Sequence, residues 1–320
     1  MLDPIPQVAD PNVRELPEDT PEELFKTTAR IGWWGRNRNF QEAEAEFNAS
    51  EIKHSIMYSA MISAAASCKK FDEGMAYFEE IRSSSMEVTD VYGSVLKLLG
   101  LQGNYEEASR VWHEIVDEGL LKLSPTRQQS CLTGLLNAAA FAGDVELVLK
   151  DMEEAQALGV ELSPSHYGCL LKACRESRDL DNAEKALLRM RNASIKANIV
   201  HYTIYMGACT RFVAETRPGH AAAVELEQKV LSMMDEDMVS ANEYFLEEHI
   251  LLHLGISSLR DWLDDEGSQR PGSEELQAAA QVLEEAIAKG IRPTQGTRRL
   301  RDRLPALQAA STEAYALLNG

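Results

Sequence analysis

The sequence lacks several features that would place it in a common functional class. It contains no run of about 18 to 20 apolar residues, the length that a membrane-spanning helix needs, so we predict a soluble chain without membrane insertion. Five cysteines are present, but none forms a C-x-x-C pair, which argues against a zinc ribbon or a redox motif. We therefore interpret them as buried, reduced thiols in an intracellular, reducing compartment.

Signatures of catalysis are also missing. The sequence has no phosphate-binding loop, no nucleophile elbow and no metal-binding histidine motif. His249 and His253 are four residues apart beside Glu247 and Glu248, but two ligands without a third are a weak metal signal, so we interpret them as an exposed polar stripe. We predict that the protein is not an enzyme and that it has no cofactor, no metal and no small-molecule substrate.

Aromatic residues are scarce, and prolines are unevenly placed. Aromatics make up 7% of the chain, while alanine and leucine dominate the apolar residues, which favours helices packed on helices. Five of the eleven prolines fall in residues 1–23 among several acids. That segment is predicted to be extended and without helix. An organelle transit peptide would be rich in Arg and Ser and poor in acidic residues, so we predict that this segment is not one.

Basic residues are outnumbered by acidic ones. There are 51 Asp and Glu against 32 Lys and Arg, giving a net charge of −19. The negative electrostatic field of such a chain repels the phosphates of nucleic acids, which counts against non-specific nucleic-acid binding. A local basic groove remains possible because exposed charges are screened beyond about 10 Å.

A period of roughly 35 residues is present in the middle of the chain. Tyrosines recur near the starts of apolar helices at intervals of 34, 75 and 35 residues, and the middle interval covers two units, with Leu132 in the tyrosine slot. The tyrosines are Tyr58, Tyr92, Tyr167 and Tyr202. A small or apolar residue follows each slot by sixteen positions on a second helix: Gly74, Ala108, Val148 and Ala183. Glycine, asparagine and aspartate between the two helices mark the turn.

This pattern predicts an all-α fold, an α-solenoid of stacked antiparallel helix-turn-helix repeats with about seven units, degenerate ends and a C-terminal capping helix. One hairpin cannot bury its apolar face alone, so neighbouring hairpins must cover it. We predict an extended segment over 1–23, a repeat array over 24–294 whose best repeats lie in 55–210, and a cap over 295–320. The predicted units are 24–54, 55–88, 89–128, 129–163, 164–198, 199–238 and 239–294.

Residues 57–62 (MYSAMI) followed by 71–74 (FDEG), and residues 166–171 (HYGCLL) followed by 180–183 (LDNA), resemble the pentatricopeptide repeat family. The resemblance covers about residues 55–210. It implies binding of single-stranded RNA in mitochondria or plastids, with one base read per repeat by side chains of the concave first-helix face.

The resemblance also implies which residues would contact RNA. The base-reading position directly after the tyrosine slot falls on Ser59, Gly93, Thr133, Gly168 and Thr203. Its partner position falls on Val88, Gln128, Ser163 and Asn198, of which Asn198 matches the family's preference. The base-clamping position falls on Ile56 and Val200 in two units and on Asp90, Ser130 and Ser165 in others.

Two further features suggest contacts with nucleic acid. The first is a patch of two tryptophans, which could stack on bases, and two arginines, which could bind phosphate: Trp33, Trp34, Arg36 and Arg38. In the alternative interpretation, one tryptophan packs against the next hairpin and the arginines are solvated. The basic run from Arg292 to Arg303 could likewise bind phosphate or face acidic protein. His166 and His201 occupy the same slot in adjacent units, and we interpret them as solvated helix starts.

Two functions are therefore carried forward. The first is binding of single-stranded RNA. The second is a protein-binding scaffold or a subunit of a larger assembly, because the net charge is −19 and no assigned pair of positions has the family's preferred residues at both places.

Overall fold

The computed structural model describes residues 22–119, 122–264 and 271–319, with side chains as far as residue 309. Those residues form sixteen helices and no strand. The helices are α1 Glu22–Arg36, α2 Phe40–Ala49, α3 Ser55–Cys68, α4 Phe71–Arg82, α5 Tyr92–Gln102, α6 Tyr105–Gly119, α7 Pro125–Phe141, α8 Val145–Ala157, α9 Pro164–Ser177, α10 Leu180–Asn192, α11 Ile199–Thr216, α12 His220–Glu236, α13 Glu243–Leu254, α14 Leu259–Asp264, α15 Ser273–Ala288 and α16 Gln295–Asn319.

The chain forms two compact units, Met1–Cys169 and Leu170–Gly320, and the division falls inside α9. In the first unit, α1, α3, α5 and α7 pack against one another in chain order, and each is followed by an even-numbered helix that packs against it. In the second unit, α11, α13 and α15 pack in the same way, and α12 packs against both α11 and α13. The predicted fold class, an all-α solenoid of helical hairpins, is confirmed.

The hairpins of the first unit turn on single residues with left-handed backbone. Arg38 and Lys69 have φ of 56° and 58°, and glycines take this place at the next two turns, Gly103 and Gly143. Asn39, Asn104 and Asp144 then accept a hydrogen bond from a backbone N–H three residues on, which caps the second helix. The turn signals in the sequence therefore act as predicted.

The repeated positions form the core. All four slot tyrosines are at most 5% exposed, and Gly74, Ala108, Val148 and Ala183 are buried between helices. Two tyrosine hydroxyls reach the second helix of their own hairpin, where Tyr58 donates to Glu80 at 2.6 Å and Tyr92 to Glu118 at 2.8 Å. Tyr58 and Tyr92 thus pack their rings in the core and tie the two helices of their hairpins at the rim.

Three sequence predictions need correction. α7 begins at Pro125 rather than near Gln129, because Ser124 caps the helix and proline suits its first turn. α1 begins at Glu22, so the last two residues of segment 1–23 are helical, and their charges favour a helix N-terminus. Residues 1–21 lie outside the described residues. A short helix, α14, was not predicted between α13 and α15 within the predicted unit 239–294, and residues 265–270 lie outside the described residues.

At the C-terminal end, an apolar cluster joins α13, α14, α15 and α16. Leu300 and Leu304 of α16 are buried in it, at 0% and 6% exposure, which fits the predicted capping role of this helix. Over the described part of the chain, none of the helices combines the length and the apolar character that crossing a membrane requires.

Candidate nucleic-acid interface

The odd-numbered helices of the first unit contact one another at intervals of 35 to 37 residues. Ser55 donates to Asp90 at 2.7 Å and the Ser59 and Ser94 hydroxyls lie 2.7 Å apart, in both cases across 35 residues. Further along, His166 Nε2 lies 2.9 Å from the Gln129 carbonyl, across 37 residues. Equivalent residues of successive first helices therefore form one row. We call the exposed sides of α3, α5 and α7 the first-helix surface.

The predicted base-reading positions are all partly exposed. Their side chains, however, already contact this chain. Ser59 bonds Ser94, and Thr133 and Thr203 each donate at 2.8 Å to the carbonyl four residues earlier, Gln129 and Ile199 respectively. The two glycines differ. A Cβ at Gly93 would lie 3.4 Å from the Ser130 hydroxyl, whereas a Cβ at Gly168 would meet no heavy atom within 4 Å.

Two of the partner positions, Gln128 and Asn198, already use their side chains within the chain and are less available to contact a base. Gln128 is 7% exposed and its amide donates to the Leu123 carbonyl, so it is positioned to hold the loop before α7 rather than a base. Asn198 is exposed, but its side-chain oxygen accepts from the Val200 and His201 backbone and caps α11. Of the clamp positions, Ile56 is half-buried and Val200 is 59% exposed.

Asp90 has its charge balanced within the chain. Its carboxylate accepts a hydrogen bond from Ser55 and forms an ion pair with Arg127 of α7. The acid at this clamp position is therefore neutralised locally and adds little negative potential to the first-helix surface.

A groove lies on the first-helix surface between α5, α7 and the start of α9. Its volume is about 470 Å³. Among the described residues that line it, Lys97 is the one charged side chain, and the rest are mainly hydroxyl and amide side chains: Thr126, Gln129, Ser130, Thr133, Asn137, Ser163 and Ser165. Such a lining offers hydrogen bonds to base edges and one cation for phosphate.

Charge is segregated between the two layers of the first unit. α3, α5 and α7 contain no Asp or Glu, and two of them contain one basic residue each. Each of α2, α4, α6 and α8 contains three to five acids and at most one Lys or Arg. The negative charge of the helices in this unit is therefore concentrated on the second layer.

The tryptophan and arginine patch near α1 is only partly available. Trp33 is 6% exposed and packs edge-on against Trp34 at 4.5 Å, so the prediction that Trp33 stacks on a base is wrong: its ring lies in the core. Trp34 is half-buried, and Arg36 and Arg38 are exposed. Arg38 is also the left-handed turn residue of its hairpin.

The interpretation of His166 and His201 as solvated helix starts is wrong. They are 0% and 3% exposed, and burial lowers the pKa of His166. The His166 ring accepts from the Ser163 N–H and contacts the Gln129 carbonyl, while the His201 ring completes a capping box with Asn198. Both rings are structural and pin the start of a first helix.

The C-terminal arginines face acid and carbonyl groups of this chain. Arg299 pairs with Asp264 at 2.5 Å, and Arg303 donates to the Leu263 carbonyl at 2.6 Å. The second of the two interpretations, an acidic protein face, is therefore supported for Arg299.

A cluster of titratable side chains in the second unit was not predicted. His249 and His253 of α13 lie beside Glu227 of α12, and one donor atom from each falls within 4.8 Å of the other two. The two histidines are 9% and 3% exposed, so their interpretation as an exposed stripe is wrong. Burial tends to raise the pKa of the Glu227 carboxyl, but its interactions with the two histidine rings lower it to about 2. This group of donors could hold a metal ion.

The sequence did contain a signal for that burial. Residues 249–254 read HILLHL, and apolar residues lie on every side of α13, which is typical of a helix that is buried all round. Glu227 could not have been paired with them in this way, because the contact depends on how α12 packs on α13.

Comparisons with known proteins find similar helical-repeat sequences. The family model described as pentatricopeptide repeat domain matches residues 148–211, and the one described as PPR repeat matches residues 56–86 and 90–120. A mitochondrial pentatricopeptide repeat-containing protein of Arabidopsis thaliana is 25% identical over 186 residues, covering 57% of this chain and 32% of that protein. A second Arabidopsis thaliana protein of the same description is 28% identical over 137 residues, covering 42% and 21%. The chain thus spans a third or less of these relatives.

Among solved structures, the pentatricopeptide repeat protein PPR10 from maize has a TM-score of 0.45 and 17% identity, over 92% of this chain and 49% of that one. The PPR domain of protein-only RNase P 1 from Arabidopsis thaliana, in complex with tRNA, has a TM-score of 0.44 and 14% identity, over 66% and 95%.

Proposed function

We propose that this protein, which belongs to the pentatricopeptide repeat family, binds single-stranded RNA on its first-helix surface and catalyses no reaction there. The observation that carries the proposal is the segregation of charge. The surface formed by α3, α5 and α7 has no acidic helix residue, although the chain as a whole has a net charge of −19.

Distance explains why the net charge does not prevent binding. The acids of α2, α4, α6 and α8 lie in the second layer, about one helix diameter of 10 Å from α3, α5 and α7. Exposed charges are screened over a Debye length of about 8 Å at physiological salt. An RNA strand at the first-helix surface therefore meets mainly the neutral polar lining and Lys97, and repulsion by the second layer becomes appreciable only at low salt, where screening is weaker.

The lining also indicates how RNA would be recognised. Hydroxyl and amide groups along the groove can hydrogen-bond exposed base edges, and Lys97 can contact a phosphate. Few base-specific contacts are expected, because Ser59 and Thr133 already bond within the chain and Gln128 is buried. We therefore propose a modest sequence preference. An organellar location is part of the proposal, since two of the relatives are named as mitochondrial.

Reversal of a single charge tests this function. Lys97→Glu places an acid in the groove and should weaken binding of a labelled single-stranded RNA pool about tenfold, measured by fluorescence anisotropy at low and at physiological salt. Lys150→Glu makes the same change on α8 in the second layer and should leave the affinity unchanged. Equal loss in both variants would mean that only the net charge matters and that the first-helix surface is not the binding site.

A protein partner is the second candidate, and the acidic second layer favours it. Three to five acids on each of α2, α4, α6 and α8 form a surface that complements a basic protein. If the wild-type protein binds no single-stranded RNA even at low salt, the first proposal fails and this one remains. Copurification from the source organism, with and without RNase treatment, then distinguishes a protein-bound complex from one held together by RNA.

A further inference from the structure

The cluster in the second unit brings three donor groups from two helices into one place. Glu227 lies on α12, and His249 and His253 lie one turn apart on α13, so both rings project from the same side of that helix. His249 Nε2 is 2.6 Å from one carboxylate oxygen of Glu227, and His253 Nε2 is 3.3 Å from the other. The two rings have centroids 5.3 Å apart.

Buried nitrogen atoms in this cluster have no hydrogen-bond partner. Both ring nitrogens of His253 and Nδ1 of His220, at the start of α12, are buried and unsatisfied. His253 Nε2 is near Glu227, but the contact lacks the direction of a hydrogen bond. A buried polar group without a partner is costly, so each such group calls for an explanation. A cation bound by the imidazole nitrogens would satisfy His253 Nε2.

We propose that Glu227, His249 and His253 bind a divalent transition-metal ion of the zinc type, with the fourth position open to solvent. Two imidazoles and one carboxylate are a ligand set that zinc accepts, whereas magnesium and calcium prefer oxygen ligands alone. Donor atoms around a tetrahedral zinc ion are about 3.3 Å apart, given zinc–ligand bonds of about 2.0 to 2.1 Å. The two Nε2 atoms approach different oxygens of Glu227, at 2.6 Å for His249 and 3.3 Å for His253, and one donor atom from each residue lies within 4.8 Å of the other two. Side-chain shifts of about 1 Å would bring the three donors to the zinc spacing.

One side of this site borders a cavity. The cavity has a volume of about 260 Å³, is partly open to solvent, and is lined by His220 and His253 together with Arg217, Gly219 and Glu275. Because the imidazole ring of His253, a proposed ligand, lines this cavity, a water molecule in the cavity can supply the fourth ligand. His220, whose ring centroid lies 5.7 Å from that of His253, borders this open side.

The proposed ion would join two helices that belong to successive hairpins. Because Glu227 comes from α12 and both histidines from α13, binding would tie these helices together within the second unit and stabilise its packing. The site is separate from the first-helix surface, since all three ligands lie in the second unit. The inference is therefore independent of RNA binding and stands or falls on its own test.

Metal uptake by the purified protein provides that test. After dialysis against a chelator, titration with zinc chloride followed by calorimetry should show one ion bound per chain. At zinc concentrations about a hundredfold above the dissociation constant, the melting temperature should rise by about 5 °C. Glu227→Gln keeps the size of the side chain but removes a charged ligand, and it should weaken binding by at least about tenfold. His113→Ala removes an exposed histidine of α6 and should change nothing.

Cobalt substitution keeps the test valid if a variant misfolds. Cobalt bound to the wild-type protein should show the visible absorption of a tetrahedral or five-coordinate site, without a sulfur-to-cobalt charge-transfer band, because no cysteine is among the ligands. Absence of stoichiometric uptake, uptake unchanged in Glu227→Gln, or a sulfur band would each overturn the proposal. The last of these would assign the metal to the cysteines instead.

Discussion

At the residue scale, Asp151 of α8 shows how a carboxyl is held in an unfavourable place. It is 6% exposed, one oxygen accepts a hydrogen bond from the Tyr105 hydroxyl at 3.1 Å, and the other is buried without a partner. Burial raises the pKa of Asp151 to about 6, against an ordinary value near 3.8. At neutral pH the ionised carboxylate therefore destabilises the folded state.

Replacing this carboxyl should stabilise the protein in a pH-dependent way. The folded protein binds the Asp151 proton more tightly than the unfolded chain does, so the cost of the carboxylate is fully present above pH about 6 and disappears below pH about 4. Asp151→Asn should raise the free energy of unfolding by about 1 to 3 kcal/mol at pH 8 and leave it nearly unchanged at pH 4, measured by urea denaturation.

Asp117→Asn is the matched control for Asp151, because Asp117 is an exposed acid on α6. Its effect should stay within about 0.5 kcal/mol at both pH values. A loss of stability in Asp151→Asn at pH 8 would contradict this account of the buried carboxyl.

At the element scale, α5 and α7 approach each other closely because glycine lies on both sides of the contact. A Cβ at Gly134 would lie 2.5 Å from the Leu96 carbonyl carbon, and one at Gly100 would lie 2.6 Å from the Gly134 carbonyl oxygen. In both cases the obstacle is backbone, which cannot rotate away. This contact places the groove of the first-helix surface between the two helices.

Gly134→Ala should therefore force α5 and α7 apart and lower the free energy of unfolding by about 2 to 3 kcal/mol. Gly168→Ala makes the same chemical change in α9, where no heavy atom lies within 4 Å of the new methyl group. That change should be neutral or stabilise by up to about 1 kcal/mol, because alanine favours helix. Thermal unfolding of both variants checks the pair, and equal effects would show that close packing at Gly134 is not the cause.

Features that depend on local interactions could be predicted from the sequence, whereas features that depend on contacts between distant segments could not. The hairpins could be predicted because slot tyrosines, small residues and turn signals recur locally and each has one physical role. The start of α7 was misplaced because Pro125 was assigned to the end of the preceding unit, when it opens the next helix. The candidate RNA-contacting site was harder to predict. Ser59 and Gln128 each form a hydrogen bond within the chain, and those bonds depend on contacts with other segments.

At the scale of the whole molecule, the net charge alone was a misleading guide to RNA binding. The value of −19 is a sum over the whole chain. It hides the separation, within the first unit, of the acid-free helices α3, α5 and α7 from the acidic second layer, and α5 and α7 line the groove. This separation is visible in the sequence once the helices are assigned, because α3, α5 and α7 contain no acid. The cluster of Glu227, His249 and His253 was missed for the opposite reason: Glu227 meets the two histidines only through tertiary packing.

Photocrosslinking tests the central proposal most directly. The full chain would be irradiated with a single-stranded RNA pool that carries thiouridine, digested, and the crosslinked peptides identified by mass spectrometry. RNA binding to the first-helix surface predicts crosslinks concentrated in peptides from α3, α5 and α7, and reduced in Lys97→Glu but not in Lys150→Glu. Crosslinks concentrated in α2, α4, α6 and α8, or no crosslinks above those of an unrelated acidic protein, would contradict the proposal.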